Sequence, residues 1–380
     1  MEDDAEPAQC ILCLTDACDR PESELFIGLH RAGYQVDVMC NPRGWFYGAM
    51  EEAGLYVTPM SLRGRFDRKG TALIRRQLES RHYDILHAYN PRALACGLRA
   101  SSGHAVRVVA YRGVSGNISF LNPESWMTFL HPRVDRIVAV CDAVRDYLAS
   151  VHFLGLRIPP RKLVRIYKGH DLAWYRETPA DLSEFGIPEN AFVVCATGRD
   201  RPRKGFDVLL RAAALCPREL NIHFLLVGDM DRNTKLRELA ERSVGNDRVH
   251  FPGYRRDAPR LAAASNAFVL ASTEREGLPR AVIEAMAYAI PPIVSDVGGM
   301  PELVAHGESG YVVPRGDAGA LARMICALAT NPATAGVMGQ RSRERIHDHF
   351  HTSQTVAQTL SLYRDLMTDS KAGATQGLAE

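Results

Sequence analysis

The sequence lacks the long apolar segments that a membrane-spanning helix needs. None of the apolar runs in its 380 residues approaches the roughly 20 residues that cross a bilayer. Its first seven residues, MEDDAEP, are acidic, whereas a secretory signal begins with basic residues. We therefore expect a cytoplasmic protein, with at most a peripheral contact at the inner face of the membrane.

A regular cysteine framework is also absent. The nine cysteines are odd in number and scattered, and Cys10, Cys13, Cys40 and Cys195 lie in apolar stretches that read as strands. The spacing of Cys10 and Cys13 is that of a redox or metal pair, but in a strand residues three apart point to opposite faces of the sheet. The sequence therefore predicts buried, reduced thiols rather than disulfides.

The chain lacks a large net charge, which is only +2, but its charges are unevenly distributed. Residues 1–165 hold 21 Lys and Arg against 18 Asp and Glu, and four of those acids lie within the first six residues. Much of the basic excess comes from RGRFDRKG at 63–70 and from Arg75, Arg76 and Arg81. A solvated helix face explains this cluster as well as a surface for an anionic membrane or an anionic acceptor does. We expect no nucleic-acid partner.

What the chain does have is a repeated alternation of short apolar strands and amphipathic helical stretches. Two series of six strands are expected, separated by a less regular segment at 151–190: the first at 11–14, 35–40, 55–59, 85–87, 107–110 and 136–140, and the second at 192–196, 222–227, 249–251, 267–271, 292–295 and 310–313. Such alternation predicts α/β domains, each with a doubly wound parallel sheet and right-handed crossovers.

Three segments follow from this pattern. An N-terminal domain is expected at 1–168 and a C-terminal domain at 169–350. Residues 351–380 are expected to form a helix that packs back on the first domain, followed by a mobile tail that begins near residue 371.

The most informative stretch is 273–313. A strand is expected to run into a polar loop that holds Glu276 and Gly277, and a helix from about Arg280 to Tyr288 then carries Glu284 towards the next strand. In open parallel sheets the carboxyl ends of the strands form the ligand-binding edge. We also expect the backbone N–H groups at Gly277 to begin this helix and to be available to an anion.

Four motifs in this half of the chain occur in one order. They are GR-x4-KG from Gly198, V-x-F-x-G at 249–253, EGLP-x4-EAMA from Glu276, and GG-x-x-E from Gly298. In this order they closely resemble the retaining nucleotide-sugar glycosyltransferases of family 4. That family has the GT-B fold, in which two Rossmann-like domains face each other across a cleft. The resemblance covers the whole second domain, whereas over the first domain only the architecture matches.

The resemblance implies that Arg199 and Lys204 contact the diphosphate of the donor. A nucleotide diphosphate carries negative charge that must be neutralised while the sugar–phosphate bond breaks. Both residues belong to a loop that begins at Gly198, after a predicted strand, and a lysine offers a point charge where an arginine offers a fork. A pair of solvated loop cations is the alternative interpretation.

Glu276 and Glu284 stand at the two glutamates of the family's E-x7-E motif. The resemblance implies that Glu284 accepts hydrogen bonds from the ribose hydroxyls, and that Glu276 binds sugar hydroxyls and stabilises the developing positive charge. It also implies that the backbone of Gly277, Leu278 and Pro279 surrounds the sugar and phosphate. The alternatives are a helix-surface glutamate at 284 and, at 276, an acid favoured by the helix dipole.

The family's contacts with the base follow the strand at 249–251, where this chain has Tyr254 and Arg255. Packing of Tyr254 on the base and an exposed loop tyrosine are equally good interpretations.

No metal and no further cofactor are expected. Asp229-Met230-Asp231 has the D-x-D spacing with which other glycosyltransferases hold a divalent cation, but here it follows a strand and precedes a polar helix, so a turn and N-cap role is predicted. The run HDHFH at 347–351 lies far from the motifs in sequence, and we expect no metal there. The resemblance implies a nucleotide diphosphate sugar as donor, with a UDP-sugar favoured over a GDP-sugar.

The first domain departs from the family pattern at two places. The loop at 15–22 lacks the double glycine found in many relatives, which leaves Asp19 or Arg20 to face the cleft. Arg112 stands where a histidine is often found. Because an arginine cannot act as a general base, contact with the donor phosphate or with an anionic acceptor is the role expected for it.

These features predict a retaining, metal-independent hexosyl- or glycosyltransferase. It would move a sugar from a nucleotide diphosphate sugar to an acceptor hydroxyl during assembly of a cell-surface glycoconjugate, such as lipopolysaccharide, polysaccharide or a lipid-linked sugar. The acceptor would be a glycan, a lipid-linked compound or a phosphorylated compound. A nucleotide-sugar epimerase or phosphorylase on the same fold, and a non-catalytic sugar-nucleotide-binding protein, remain alternatives. A dinucleotide-dependent oxidoreductase fits less well, because no G-x-G-x-x-G follows an early strand.

Overall fold

The protein consists of two compact units, each built on its own sheet. The structure, a computed structural model, describes residues 9–245 and 247–376, with side chains up to residue 368. One unit runs to Gly169 and resumes at Thr352, and the other spans His170–His351. Every neighbouring pair of strands in the two large sheets is parallel. The predicted fold class, α/β with two doubly wound parallel sheets, is confirmed.

The first unit has a seven-stranded sheet of order β3-β2-β1-β4-β5-β6-β9 and a small antiparallel hairpin, β7-β8. Its strands are β1 (Cys10–Leu14), β2 (Gln35–Cys40), β3 (Tyr56–Pro59), β4 (Ile85–Ala88), β5 (Arg107–Arg112), β6 (Val134–Ala139), β7 (His152–Phe153), β8 (Leu156–Arg157) and β9 (Leu163–Arg165). Strand β9 lies in the segment where no strand was predicted. It has three half-buried residues at the sheet edge, which is too short to give a periodic pattern.

Helices cover the crossovers of this unit, and side-chain caps begin several of them. They are α1 (Arg20–Arg31), α2 (Tyr47–Glu52), α3 (Arg68–Ser80), α4 (Pro91–Ala100), α5 (Pro123–Trp126) and α6 (Asp142–Ser150). The Asp19 carboxylate accepts a 3.1 Å hydrogen bond from the backbone N–H of Glu22, and Asn90 accepts one of 2.9 Å from Ala93. Caps of this kind pair N–H groups that the first turn of a helix leaves without partners.

The second unit has a six-stranded sheet of order β12-β11-β10-β13-β14-β15. Its strands are β10 (Phe192–Thr197), β11 (Ile222–Val227), β12 (Val249–Gly253), β13 (Ala267–Leu270), β14 (Pro292–Ser295) and β15 (Tyr311–Val313). Its helices are α7 (Phe206–Leu215), α8 (Thr234–Ser243), α9 (Ala258–Ala263), α10 (Arg280–Ala287), α11 (Met300–Leu303), α12 (Ala318–Thr330) and α13 (Pro332–His349). All six predicted strands of this half are present in the predicted order.

The last helix, α14 (Thr352–Gln376), belongs to the first unit. Its side chains Leu362, Tyr363 and Leu366 are buried in the core of that unit, and the Tyr363 hydroxyl lies 2.8 Å from Nδ1 of His87 in β4. The helix extends to residue 376, into the segment expected to be a mobile tail, and residues 377–380 lie outside the described residues. Mobility of that tail stays a prediction.

All nine cysteines are free thiols, and eight of them are buried, as the sequence predicted. Burial raises the pKa of Cys10 to about 11 and those of Cys40 and Cys195 to about 12. These thiols are therefore protonated and unreactive near neutral pH. Within the described part of the chain, no helix is both long and apolar enough to cross a membrane.

Candidate functional site

Adjacent strands β10 and β13 form the switch point of the second sheet. From β10 the chain continues to β11 on one side, whereas from β13 it continues to β14 on the other. The loops that follow the two strands therefore diverge and leave a crevice at the carboxyl edge, where open α/β sheets bind ligands. The loop after β10 carries Arg199 and Lys204, and the loop after β13 carries Glu276.

Lys204 and Glu276 form a mostly buried ion pair in this crevice. The ammonium nitrogen Nζ of Lys204 lies 2.7 Å from Oε1 of Glu276, and the two side chains are 18% and 7% exposed. The hydroxyl of Ser272 donates a second 2.7 Å hydrogen bond to the same oxygen. A buried carboxylate requires such partners, because removing its charge from water is costly. Sequence reasoning missed Ser272, although a polar residue just after a buried strand was the available signal.

The two loops are also joined through their backbones. The N–H of Thr273 donates to the carbonyl of Arg203 at 2.8 Å, and Nη1 of Arg203 donates to the carbonyl of Arg275 at 2.8 Å. Arg275 has a φ of 55°, in the left-handed region that residues other than glycine seldom adopt. This uncommon conformation, immediately before Glu276, is typical of a segment held by its surroundings.

Two motif glycines allow these loops to approach closely. Gly205 has a φ of 68°, and a Cβ added there would overlap the carbonyl oxygen of Ala271. Gly298 has a φ of 58°, and a Cβ added there would overlap the carbonyl oxygen of Glu276. The glycines of the KG and GG motifs therefore keep Lys204 and Glu276 in position.

Glu284 lies in the middle of α10, and Nε of Arg280 is 3.1 Å from its Oε1. Its side chain is mostly buried. One expectation about this element was wrong. Because α10 begins at Arg280 with Pro279 as its N-cap, Gly277 and Leu278 lie in the loop before the helix, so the N–H of Gly277 does not begin it.

The other residues that the sequence predicts to contact a donor are less closely grouped. Gly198 follows β10, and its N–H donates to the carbonyl of Val227 at 3.0 Å. Arg199 is exposed and forms no ion pair with any other described residue. It is therefore open to an anion from solution, while Lys204 is already paired.

Tyr254 and Arg255 follow β12. The tyrosine is 75% exposed, and its packing on the base of a nucleotide stays a prediction. Arg255 lies 2.8 Å from Asp257 and 3.1 Å from Glu184. The guanidinium of Arg255 donates hydrogen bonds to these two carboxylates, which raises the pKa of Arg255 above its ordinary value, so the side chain is already held by protein groups.

The D-x-D segment forms a 3-10 turn at Asp229–Arg232. The predicted N-cap role was assigned to the wrong residue, since Asn233 caps α8 by accepting from the N–H of Leu236 at 3.1 Å. Asp229 instead accepts a hydrogen bond from the N–H of Asp200. Among the residues with described side chains, no group of three or more His, Cys, Asp and Glu could hold a metal ion.

Comparisons with known proteins agree on one family. Two family profiles together match most of the chain: "Glycosyltransferase Family 4" over residues 23–174 and "Glycosyl transferases group 1" over residues 177–345. The phosphatidyl-myo-inositol mannosyltransferase of Mycolicibacterium smegmatis is 30% identical over 289 residues, which is 74% of this chain and 71% of that protein. The chain belongs to glycosyltransferase family 4.

Two further comparisons place limits on what this family 4 protein shares with its relatives. The N-acetyl-alpha-D-glucosaminyl L-malate synthase of Bacillus anthracis is 30% identical over 209 residues, but the match covers only 55% of this chain and 53% of that protein. The structure of Anabaena Alr3699/HepE in complex with UDP and glucose is 22% identical, with a TM-score of 0.74 over 94% of this chain and all of that one. This likeness establishes a GT-B-like fold.

In the first unit of this family 4 protein, the loop at 15–22, which lacks the double glycine, is held in place by ion pairs. Nζ of Lys168 lies 2.7 Å from Asp19 and 2.9 Å from Glu22, and the hydroxyl of Thr15 donates to Glu22 at 3.1 Å. Burial alone would lower the pKa of Lys168, but Glu22, Tyr111 and Asp19 raise it well above its ordinary value. Asp19 therefore acts as a helix cap and ion-pair partner, and sequence reasoning missed the roles of Lys168 and Glu22.

Arg112 of the family 4 protein is directed into its own loop. Its Nε donates to the carbonyl of Val114 at 2.8 Å, its Nη2 donates to the carbonyl of Gly116, and its guanidinium lies 5.0 Å from the ring centroid of Phe129. Burial lowers the pKa of Arg112. The side chain thus orders the loop that follows β5, and its contact with a phosphate or an acceptor stays a prediction.

Proposed function

We propose that this chain is a retaining glycosyltransferase that moves a sugar from a nucleotide diphosphate sugar to an acceptor hydroxyl. The observation that carries the proposal is the buried contact of Lys204 with Glu276 at the switch point of the second sheet, in a chain of family 4. When a sugar–phosphate bond breaks, negative charge develops on the diphosphate and positive charge on the sugar. Lys204 and Glu276 lie in the loops after two neighbouring strands. The lysine supplies a positive charge for the diphosphate, and the glutamate supplies a negative charge for the sugar.

Each residue of the site then has a defined task. Lys204 and the exposed Arg199 neutralise the charge of the diphosphate. Glu284 in α10 accepts hydrogen bonds from the ribose hydroxyls. Glu276 binds the donor sugar and stabilises its developing positive charge. The leaving phosphate takes the proton of the incoming hydroxyl on the same face of the sugar, so the configuration is retained and no protein nucleophile is needed. Product analysis with and without inorganic phosphate separates this reaction from that of a phosphorylase, and an inverted product would contradict it.

The donor is expected to be a UDP-sugar, and thermal unfolding with UDP-, GDP- and ADP-sugars tests this. The structural relative from Anabaena was solved with UDP and glucose, which supports the choice of base. A ligand present at about 100 times its dissociation constant stabilises a protein by about 2.7 kcal/mol, so the preferred nucleotide should give the largest rise in Tm. A larger rise with a GDP-sugar would contradict the base assignment. No rise with any nucleotide sugar would contradict nucleotide binding itself.

The acceptor is proposed to be part of a cell-surface glycoconjugate presented at the inner face of the membrane, with the enzyme bound peripherally from the cytoplasm. Eight of the eleven large hydrophobic side chains that are exposed lie in the first unit, among the described residues. Phe66 and Leu121 are 66% and 69% exposed, and an ion pair between Arg65 and Glu124 joins their two segments. Exposed cations flank Phe66 at Arg63, Arg68 and Lys69. Apolar side chains surrounded by cations fit an anionic lipid surface.

Binding to lipid vesicles is expected to depend on these cations. The double variant Arg68→Gln/Lys69→Gln should bind anionic vesicles at low salt about 30-fold more weakly than the unchanged protein, since each basic residue near such a surface contributes about 1 kcal/mol. The matched control is Arg232→Gln/Lys235→Gln, two exposed cations of the second unit, which should bind like the unchanged protein. Equal binding of the unchanged protein to neutral and anionic vesicles, measured by co-sedimentation, would contradict membrane association through charge.

A further inference from the structure

Ser272 is held on two sides in the candidate donor site. It lies two residues beyond the end of β13, is fully buried, and donates through its hydroxyl to Oε1 of Glu276 at 2.7 Å. Its own carbonyl accepts a 2.5 Å hydrogen bond from the hydroxyl of Ser295, the last residue of the neighbouring strand β14. The hydrogen bond from β14 therefore fixes the backbone of Ser272, and its hydroxyl contacts Glu276 from this fixed position.

The two carboxylate oxygens of Glu276 have different surroundings. Both Lys204 and Ser272 donate to Oε1, whereas Oε2 receives no hydrogen bond from any described residue. A carboxylate has about four acceptor positions on its two oxygens. Holding Oε1 fixes the rotation of the group and leaves Oε2 as the oxygen available to a donor sugar.

The two donors to Oε1 differ in how they respond to a second anion. Lys204 has a long flexible stem and a full positive charge, and a diphosphate carries at least twice the charge of one carboxylate. A donor diphosphate is therefore expected to draw Lys204 away from Glu276. The hydroxyl of Ser272 is neutral and sits on a single rotatable bond above a fixed backbone, so the diphosphate does not draw it away.

We propose that Ser272 is a positioning residue that keeps Glu276 oriented while Lys204 is transferred to the donor diphosphate. This inference rests on the proposed function. Ser272 makes no direct contribution to nucleotide binding, but it is the donor to Oε1 that remains when the sugar–phosphate bond breaks. Its removal should therefore affect the chemical step more than the binding step.

The test is a comparison of Ser272→Ala and Ser272→Thr by steady-state transfer kinetics and by calorimetric UDP binding. In Ser272→Ala, kcat should fall by about 10- to 100-fold, because a preorganised hydrogen bond to a group acting in the transition state is lost. The Kd for UDP should change by less than about twofold. Ser272→Thr keeps a hydroxyl and should recover kcat to within about threefold of the unchanged protein.

The matched control is Ser342→Ala. Ser342 is also fully buried and donates one hydrogen bond, at 2.6 Å to the carbonyl of Gly339, but it lies in α13. The kcat of Ser342→Ala should equal that of the unchanged protein. An unchanged kcat in Ser272→Ala, or a threonine variant as slow as the alanine variant, would overturn the inference alone. An unchanged protein that transfers no sugar from any nucleotide sugar would overturn the proposed function and this inference together.

Discussion

Replacing Glu276 by glutamine, or Lys204 by methionine, is expected to lower the rate of sugar transfer by about two orders of magnitude or more. Each change removes one charge from a site in which charge separates as the sugar–phosphate bond breaks, and preorganised electrostatic contacts of this kind are worth about 100- to 1,000-fold in kcat. Both side chains are nearly buried, so water cannot replace the missing group. The rate is measured as release of the nucleoside diphosphate and formation of the glycosylated product.

The double variant sharpens this prediction. Lys204→Met leaves the Glu276 carboxylate with only the hydroxyl of Ser272, and a buried charge that loses its partner costs stability. Lys204→Met combined with Glu276→Gln should therefore unfold at a higher temperature than Lys204→Met alone, although it should transfer no faster. A higher unfolding temperature without faster transfer would show that the variants lose catalysis and not merely folding.

An exposed ion pair of the same unit provides the control for these variants. Arg211 and Asp207 are 2.9 Å apart on α7, and both side chains are about half exposed. Neutralising this pair should leave transfer unchanged and alter stability by less than about 1 kcal/mol. Unchanged transfer in both Glu276→Gln and Lys204→Met would disprove the assignment of the site.

The strands could be predicted because strands of a parallel sheet are covered on both faces and therefore read as continuous apolar runs. In β11 the run IHFLLV is buried at every position, and its bounds agree with the sequence prediction. Strand β9 has only Leu163–Arg165, is half buried and lies at an edge, so no such run exists. Strand β3 (Tyr56–Pro59) was predicted although it is no better buried than β9, so the length of a strand as well as its burial decided whether the sequence revealed it.

The candidate site was less predictable, because its contacts depend on strand order and side-chain direction. Lys204 and Glu276 are 72 residues apart and meet because β10 pairs with β13, although β11 and β12 lie between them in the sequence. The motifs indicated both residues but not that they form an ion pair. Ser272 belongs to no motif recognised in the sequence, and only its distance to Oε1 reveals it.

The direction of Arg112 illustrates the same limit in the first unit. Arg112 is the last residue of β5, and its guanidinium turns towards the carbonyls of Val114 and Gly116. Gly116 and Asn117 have positive φ values of 90° and 62°, so the loop after β5 has a backbone conformation that the sequence pattern does not specify. The residue type and its position at a strand end predict where the backbone places the residue. They do not predict which groups its side chain contacts.

Replacing Lys168 by methionine is expected to destabilise the first unit by about 3–5 kcal/mol. The ammonium lies between the carboxylates of Asp19 and Glu22 and 5.7 Å from the ring centroid of Tyr111. Its removal leaves two negative charges close together at a mostly buried site, and breaking a buried ion pair on one side typically costs about this much. Urea unfolding measures the loss. As a control, Arg145→Met removes a cation paired with Asp142 at an exposed site and should cost less than about 1 kcal/mol.

The pH dependence of Lys168→Met distinguishes lost charge compensation from lost packing. Burial already raises the pKa of Glu22 in the unchanged protein, and without Lys168 that pKa should rise further. A carboxyl group whose folded pKa exceeds its unfolded value of about 4.3 destabilises the fold increasingly as the pH rises through that interval. The penalty of Lys168→Met should therefore shrink as the pH is lowered towards about 4, and Glu22→Gln should reduce it at neutral pH. A penalty independent of pH and unaffected by Glu22→Gln would contradict compensation of the Glu22 charge by Lys168.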